Sequence, residues 1–356
     1  MKLLCYDDAL LGGLLMAHQF ESGFFVAKAA WHGLGTVLNK PPTTSEAIVQ
    51  AGLNWRVMEE PIYRTDEQEQ AVLRKNLIRD CDTASAVKPS AYRHILGTVK
   101  YDYVPLQNQD AFRWFDPLIE KGGVELEAAG SLQEGKRVWV LAKIVSTEAA
   151  IVPGDWVRPY LLLHNSHDGS SAVWIQFTPI RVVCWNTLSG AVAHRFGDLW
   201  NKQAICIPHT LDLQAQLAKV QDLVDLTKRQ FHFSVEEYQA MANQELNSEL
   251  FATYTGAVLG IPSPRMHSDW NQLLANFENG IGNQGKTLWD AYNAITQWLD
   301  RQRGTSDAQR LESTWFGANA QLRVKAHQVA LDLIRIANKT HVYDVLKESR
   351  REATCC

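Results

Sequence analysis

The chain has 356 residues, 46% of them hydrophobic, which is enough for two domains or for one domain with a large appendage. Its formal charge of −4 removes the simplest electrostatic argument for a nucleic-acid binder, although a basic stripe can sit on an acidic protein. Six scattered cysteines (Cys5, Cys81, Cys184, Cys206, Cys355 and Cys356), none in C-x-x-C spacing, point away from a disulfide framework or zinc site and toward a reducing, cytoplasmic setting.

The first residues are apolar in character, but Asp7 and Asp8 interrupt them and no cleavage site follows, so no signal peptide is expected. No run approaches the roughly 18 apolar residues that span a bilayer, which predicts no membrane partner. Thr43 and Glu46 have capping-box spacing for a helix that Gly52 stops. Residues 53–63 then read as a strand that Pro61 places at an edge. Residues 64–72, rich in Glu and Gln, read as a loop or a solvated helix.

Residues 94–104 predict a strand ended by Pro105, and 108–121 a helix closed by Gly122 and Gly123. The turn SLQEGK joins VELEAAG to RVWVLAKIV in one hairpin, and SHDGS joins PYLLLHN to SAVWIQFTP in a second. After about residue 205 helical stripes take over, first through Leu213, Leu217, Val220 and Val224, then at 234–245, 268–279, 286–303 and 320–336. The expected fold is α+β: an N-terminal and central mixed or antiparallel sheet built from β-hairpins with a few helices over 16–207, then an α-helical C-terminal half over 208–356. Residues 1–15 read as an extension or a mis-set start.

The segment Arg158 to Thr187 places polar side chains in what otherwise reads as buried β-structure, so Asn165, His167, Asp168, Arg181 and Asn186 must be satisfied locally or meet something. His164, His167 and Asp168 lack a third ligand at helpful spacing, and no metal is expected. Asn165, Ser166 and Asp168 are expected to bond their own turn. No Ser/His/Asp arrangement follows from the spacing, and catalytic residues stay unassigned.

GIGNQGKT, from Gly280 to Thr287, matches the phosphate-loop pattern, with Gly280, Gly285, Lys286 and Thr287 as the nucleotide-binding set. Its context differs, because Trp270, Leu273, Leu274 and Phe277 bring a helix into the loop where such a site needs a strand. The competing reading is an interhelical loop with Thr287 near a helix start. No cofactor is expected.

Cations and aromatics interleave along the central hairpins: Lys136, Arg137, Lys143, Arg158, Arg181 and Arg195 with Trp139, Trp174 and Trp185, and Asn186 joins Trp174 and Trp185 in the candidate nucleic-acid set. Cations on phosphates and indoles on bases are what single-strand binding requires, and a solvated strand edge over core tryptophans is the alternative.

The stretches AWHGLGTVL, VPLQNQDAF, AAGSLQEGKRVWVLAKI, YLLLHNSHDGSSAV, TPIRVVCWNTL, TLWDAYNAITQWLD and STWFGANAQLRVKA resemble the phage- and plasmid-related proteins grouped as domain-of-unknown-function family 932. The resemblance covers nearly the whole chain from Met16 and repeats His32, Gly33, Asn108, Gly130, Asn165, Asp168, Gly169, Arg181, Asn186 and Trp315. The full phosphate-loop pattern is not part of it. The resemblance implies a mobile-element setting and no assigned activity. The first expectation is therefore a non-enzymatic single-stranded DNA binding or annealing factor that could form homo-oligomers. The alternatives are a small-molecule or nucleotide enzyme using 164–186 and 280–287, and a counter-defence protein that binds a host protein.

Overall fold

The computed structural model describes residues 20–27, 35–66, 69–80, 94–182, 186–187, 204–219, 223–306, 309–310, 313–314 and 317–352. Trp185, Arg195, His32, Gly33, Trp315 and the segment 1–15 lie outside them. The first strands are β1 (Phe20–Val26) and β2 (Thr36–Leu38), followed by helix α1 (Thr44–Gln50). Next come β3 (Val57–Asp66), β4 (Glu69–Arg79), β5 (His94–Lys100) and two short helices, α2 (Asn108–Arg113) and α3 (Asp116–Glu120). The central strands are β6 (Val124–Leu132), β7 (Arg137–Ile144), β8 (Ala149–Val152), β9 (Asp155–Ser166), β10 (Val173–Arg181), β11 (Asn186–Thr187) and β12 (Ala204–Ile207). Helices α4 (Leu213–Lys219), α5 (Leu223–Asn243), α6 (Ser248–Leu259), α7 (Trp270–Asn279), α8 (Leu288–Arg301) and α9 (Ala318–Glu352) complete the α+β fold.

Both expected hairpins form, and they lie side by side: β6–β7 and β9–β10 are the middle of a sheet ordered β11-β10-β9-β7-β6-β1-β2, with β12 on β10 and β8 on β9. The β1–β2 pair is parallel and the other pairs are antiparallel, so the sheet is mixed. A separate three-stranded sheet, β3-β4-β5, carries Pro61 on its edge strand, where a missing N–H costs no ladder bond.

Alternation divides the large sheet into two faces. One face sends Val138, Val140, Ala142, Leu161, Leu163 and Ile175 into a core shared with Ala47, Phe112 and Leu118 of α1–α3. Farther along the same strands, Val157 and Phe177 join the core of α5–α9, so both helical layers rest on one face. The opposite face buries Ala128, Leu132, Trp139, Leu141, Tyr160, Leu162 and Ile180. Among the described residues, no helix is long and apolar enough to cross a membrane.

Three local expectations are corrected. Residues 64–66 and 69–72 are strand, with Tyr63 opposite Val72 and Asp66 opposite Glu69, because pairing between β3 and β4 overrides a polar local sequence. The single helix expected over 108–121 breaks after Arg113, and Pro117 starts α3. Helix α6 was not anticipated: it is buried on most sides and lacks a clean stripe, although Asn247 caps its start and Gly260 its end.

Candidate functional site

Arg181 ends β10 fully buried, and its guanidinium is fully engaged. Nε donates to both carboxylate oxygens of Asp155 at 2.8 and 2.9 Å, and Nη2 to Asp155 Oδ2 at 2.6 Å. The remaining donors reach the carbonyls of Ile281 and Gly282 at 3.1 and 2.9 Å and Asn283 Oδ1 at 3.0 Å. Asp155 Oδ2 also accepts from Trp289 Nε1 at 2.8 Å, and the Trp289 ring lies beneath the guanidinium. A charge buried this way is tolerated because its donors and the carboxylate are matched.

This clamp explains GIGNQGKT. The loop joins α7 to α8, and it turns the carbonyls of residues 281 and 282 toward a cation. Its amides are spent on its own helix: those of Gln284, Lys286 and Thr287 donate to the Asp290 carboxylate at 3.0–3.2 Å. A phosphate site needs the opposite polarity, with free amides around the anion. Thr287 is the N-cap of α8 in a capping box with Asp290, and Lys286 is exposed. Gly280 is buried, and Gly285, at φ +70°, would bring a Cβ within 2.9 Å of Glu278 Cα, so backbone geometry accounts for it. The nucleotide-binding reading of Gly280, Gly285, Lys286 and Thr287 and the phosphate role for Arg181 are corrected on these grounds.

The other expected cations do not converge. Arg137 and Lys143 share a face of β7 but stand six residues, roughly 20 Å, apart. Lys143 pairs with Glu125 at 2.8 Å, and Arg158 with Glu148 at 2.8 Å, a bond that raises the Arg158 pKa. Lys136 sits in the β6–β7 turn, where its carbonyl accepts from the His167 amide at 2.7 Å. Trp174 lies opposite His164 and Cys206 and donates from Nε1 to Ser171 Oγ at 3.1 Å. Asn186 pairs with Arg181 through the β10–β11 ladder.

Around the HNSHDG turn, the polar residues divide into structural and exposed sets. Ser166 Oγ accepts from the Ser171 amide at 2.9 Å, and Asp168 Oδ1 from the Ser170 amide at 2.9 Å, as the turn chemistry predicts. Asn165 differs, pointing its Nδ2 inward at Leu106 O, 3.5 Å away. His167 is wholly buried, with Nε2 2.9 Å from Asn108 Oδ1 and its ring against the edge of Trp55. Burial, aided by nearby His209, pushes its pKa down to about 3, so it is a neutral packing residue at ordinary pH.

Beside this turn lies a cavity of about 420 Å³ between β4–β5, the 168–172 segment and residues 208–210. The small sheet approaches closely there: a Cβ on Gly97 would fall 2.4 Å from Asp168 Cα. Arg74 and Lys100 line the cavity, stand directly opposite each other in the β4–β5 ladder, and are exposed. Among the described residues neither has an ion-pair partner within 4.0 Å. Tyr103 and His209 form an aromatic wall, stacked at 4.2 Å between centroids. Asp102 and Asp168 contribute acid on the remaining side.

Each wall residue is fixed from behind. Tyr103 donates its hydroxyl to Ser166 O at 2.8 Å, and His209 donates Nδ1–H to Val104 O at 2.8 Å. That bond leaves His209 Nε2 as an acceptor, and it has no hydrogen-bond partner among the described residues. Burial lowers the His209 pKa. Sequence reasoning singled out Asp168 and its turn but missed the site, because its aromatic walls, Tyr103 and His209, come from segments more than 100 residues apart. No group of three or more His, Cys, Asp or Glu that could hold a metal occurs among the described residues.

No curated protein and no solved structure matches the chain. Residues 95–316, more than half the chain and including the Arg181 clamp and most of the cavity wall, match the family described as Domain of unknown function (DUF932). The chain belongs to the DUF932 family.

Proposed function

We propose that this protein is a non-enzymatic binder of single-stranded DNA, with strand phosphates on Arg74 and Lys100 and a base against the Tyr103–His209 wall. The observation that carries the reading is the pair of opposed cations, without an ion-pair partner within 4.0 Å among the described residues, beside a fixed aromatic stack. Like charges directly opposite one another in a ladder repel, and an anion bound between them removes that cost. The cavity volume of about 420 Å³ lies within the range of roughly 300–1,000 Å³ typical of small-ligand sites, enough for one nucleotide unit of a strand. Cations with stacking surfaces are the components of sequence-tolerant strand binding. A role in recombination or annealing within a mobile element belongs to the same proposal and draws on the family resemblance.

The reading is tested with a fluorescently labelled single strand at low salt. Wild-type protein is expected to bind, and the double substitution Arg74→Glu/Lys100→Glu to weaken binding more than about tenfold. Both residues are exposed, so the melting temperature is expected to hold. Absence of wild-type binding, or equal affinity in the double variant, overturns it.

A further inference from the structure

The cavity beside the HNSHDG turn mixes charges in a way that strand phosphates alone do not explain. Arg74 and Lys100 line it together with Asp102 and Asp168. Among the described residues none of these side chains has an ion-pair partner within 4.0 Å. Carboxylates at a site for an anionic strand repel it, and the cost grows as water is displaced. They are compatible with a strand only where they meet donors on the same ligand.

Asp168 is the better placed of the two acids. It is half-buried, whereas Asp102 is exposed. Its backbone packs against β5 at Gly97, and its Oδ1 accepts from the Ser170 amide at 2.9 Å, so the side chain is set before a ligand arrives. Among the described residues Oδ2 takes no hydrogen bond, and Oδ1 keeps a second lone pair. Burial, with the Asp168 charge adding to it, raises the Tyr103 pKa, which sets this carboxylate close to the aromatic wall.

We infer that the cavity selects guanine, with the Asp168 carboxylate reading the base edge while the phosphate lies on Arg74 and Lys100. This rests on the reading of the cavity as the seat of one nucleotide unit of a strand. Guanine carries two adjacent donors, N1–H and its 2-amino group, which match the two oxygens of one carboxylate in charge-assisted bonds. Thymine offers a single N3–H between two carbonyls. Cytosine and adenine offer an amino group beside a ring-nitrogen acceptor, so all three set an acceptor against the carboxylate. An aromatic wall accepts any base, and the carboxylate does not.

Full-length protein is titrated calorimetrically with the 5′-monophosphates of deoxyguanosine, deoxyinosine and thymidine, which share one phosphate and differ in their base donors. The guanine nucleotide is expected to bind about tenfold more tightly than the thymine nucleotide. The inosine nucleotide, which lacks the 2-amino group, should fall between them. Asp168→Asn keeps an oxygen for the Ser170 amide. It is expected to bring the guanine nucleotide down to the thymine affinity without weakening the thymine nucleotide, because losing a negative charge leaves phosphate binding no poorer. The inference is overturned if guanine binds no better than thymine, if Asp168→Asn keeps the preference, or if no nucleotide binds at millimolar concentration. The wild-type comparison stands whether or not the variant folds. A labelled oligothymidine separates the two readings: a bound strand with no guanine preference removes this inference and leaves the strand reading, whereas a guanine preference without a bound strand removes the strand reading.

Discussion

Arg181 shows how far a single residue can be read. The need to satisfy a buried cation was visible in its apolar surroundings, but its partners were not: Asp155 begins the preceding strand, β9, and the 281–283 acceptors come from a loop about a hundred residues later. Arg181→Met leaves the Asp155 carboxylate buried without its counter-charge and is expected to cost about 3–5 kcal/mol in urea unfolding. Arg181→Lys recovers only part of this, since an ammonium cannot reproduce the fork. Adding Asp155→Leu to Arg181→Met should restore much of the loss; no recovery would mean that the clamp is not the source of the cost. His167 makes a second prediction at this scale. Its folded pKa of about 3 lies below its unfolded value of about 6.5, so only the unfolded chain takes up the proton between those limits. Its contribution is complete above pH 6.5 and declines by about 1.4 kcal/mol per pH unit as pH falls toward 3. His209 shifts in the same direction. His167→Gln should flatten the fall in urea midpoint between pH 7 and pH 5, and an unchanged slope would contradict the assignment.

At the scale of elements, turns and caps were the legible features because their chemistry is local. The Thr43–Glu46 capping box, the two hairpin turns and the helix entering GIGNQGKT all stand as the residue types and spacing imply. What failed depended on partners far along the chain. Residues 64–66 and 69–72 are strand because β3 and β4 pair, and α6 is apolar on too many sides for its period to show. The glycine-rich loop matched a phosphate pattern because tight turns and anion sites both require glycine; only the direction of its amides and carbonyls separates them. Thr287→Ala is expected to cost about 1 kcal/mol by removing the α8 cap. Lys286→Ala should lie within about 0.5 kcal/mol of wild type, and denaturant titration of the two variants should preserve that order.

At the scale of the molecule, the change from strands to helices near Pro208 was readable, while the packing that joins them was not. Ile151, Val157 and Phe177 belong to the helical core, and Arg181 bonds across to the α7–α8 loop. Far-UV circular dichroism and tryptophan fluorescence should therefore report one coincident thermal transition; two separated transitions would show that the halves unfold independently. The proposed strand-binding surface differs from the expected one at this scale. Pairing places carboxylates on Lys143 and Arg158 and leaves Arg74 and Lys100 facing a cavity that no local sequence could have outlined. The most direct measurement is a salt titration of single-stranded DNA affinity by fluorescence anisotropy, comparing wild type with Arg74→Gln/Lys100→Gln and Lys143→Gln/Arg158→Gln. If the cavity carries the phosphates, the first double variant loses about 1.4 from the log–log salt slope and the second keeps the wild-type slope; the reverse pattern, or no slope in the wild type, contradicts the account.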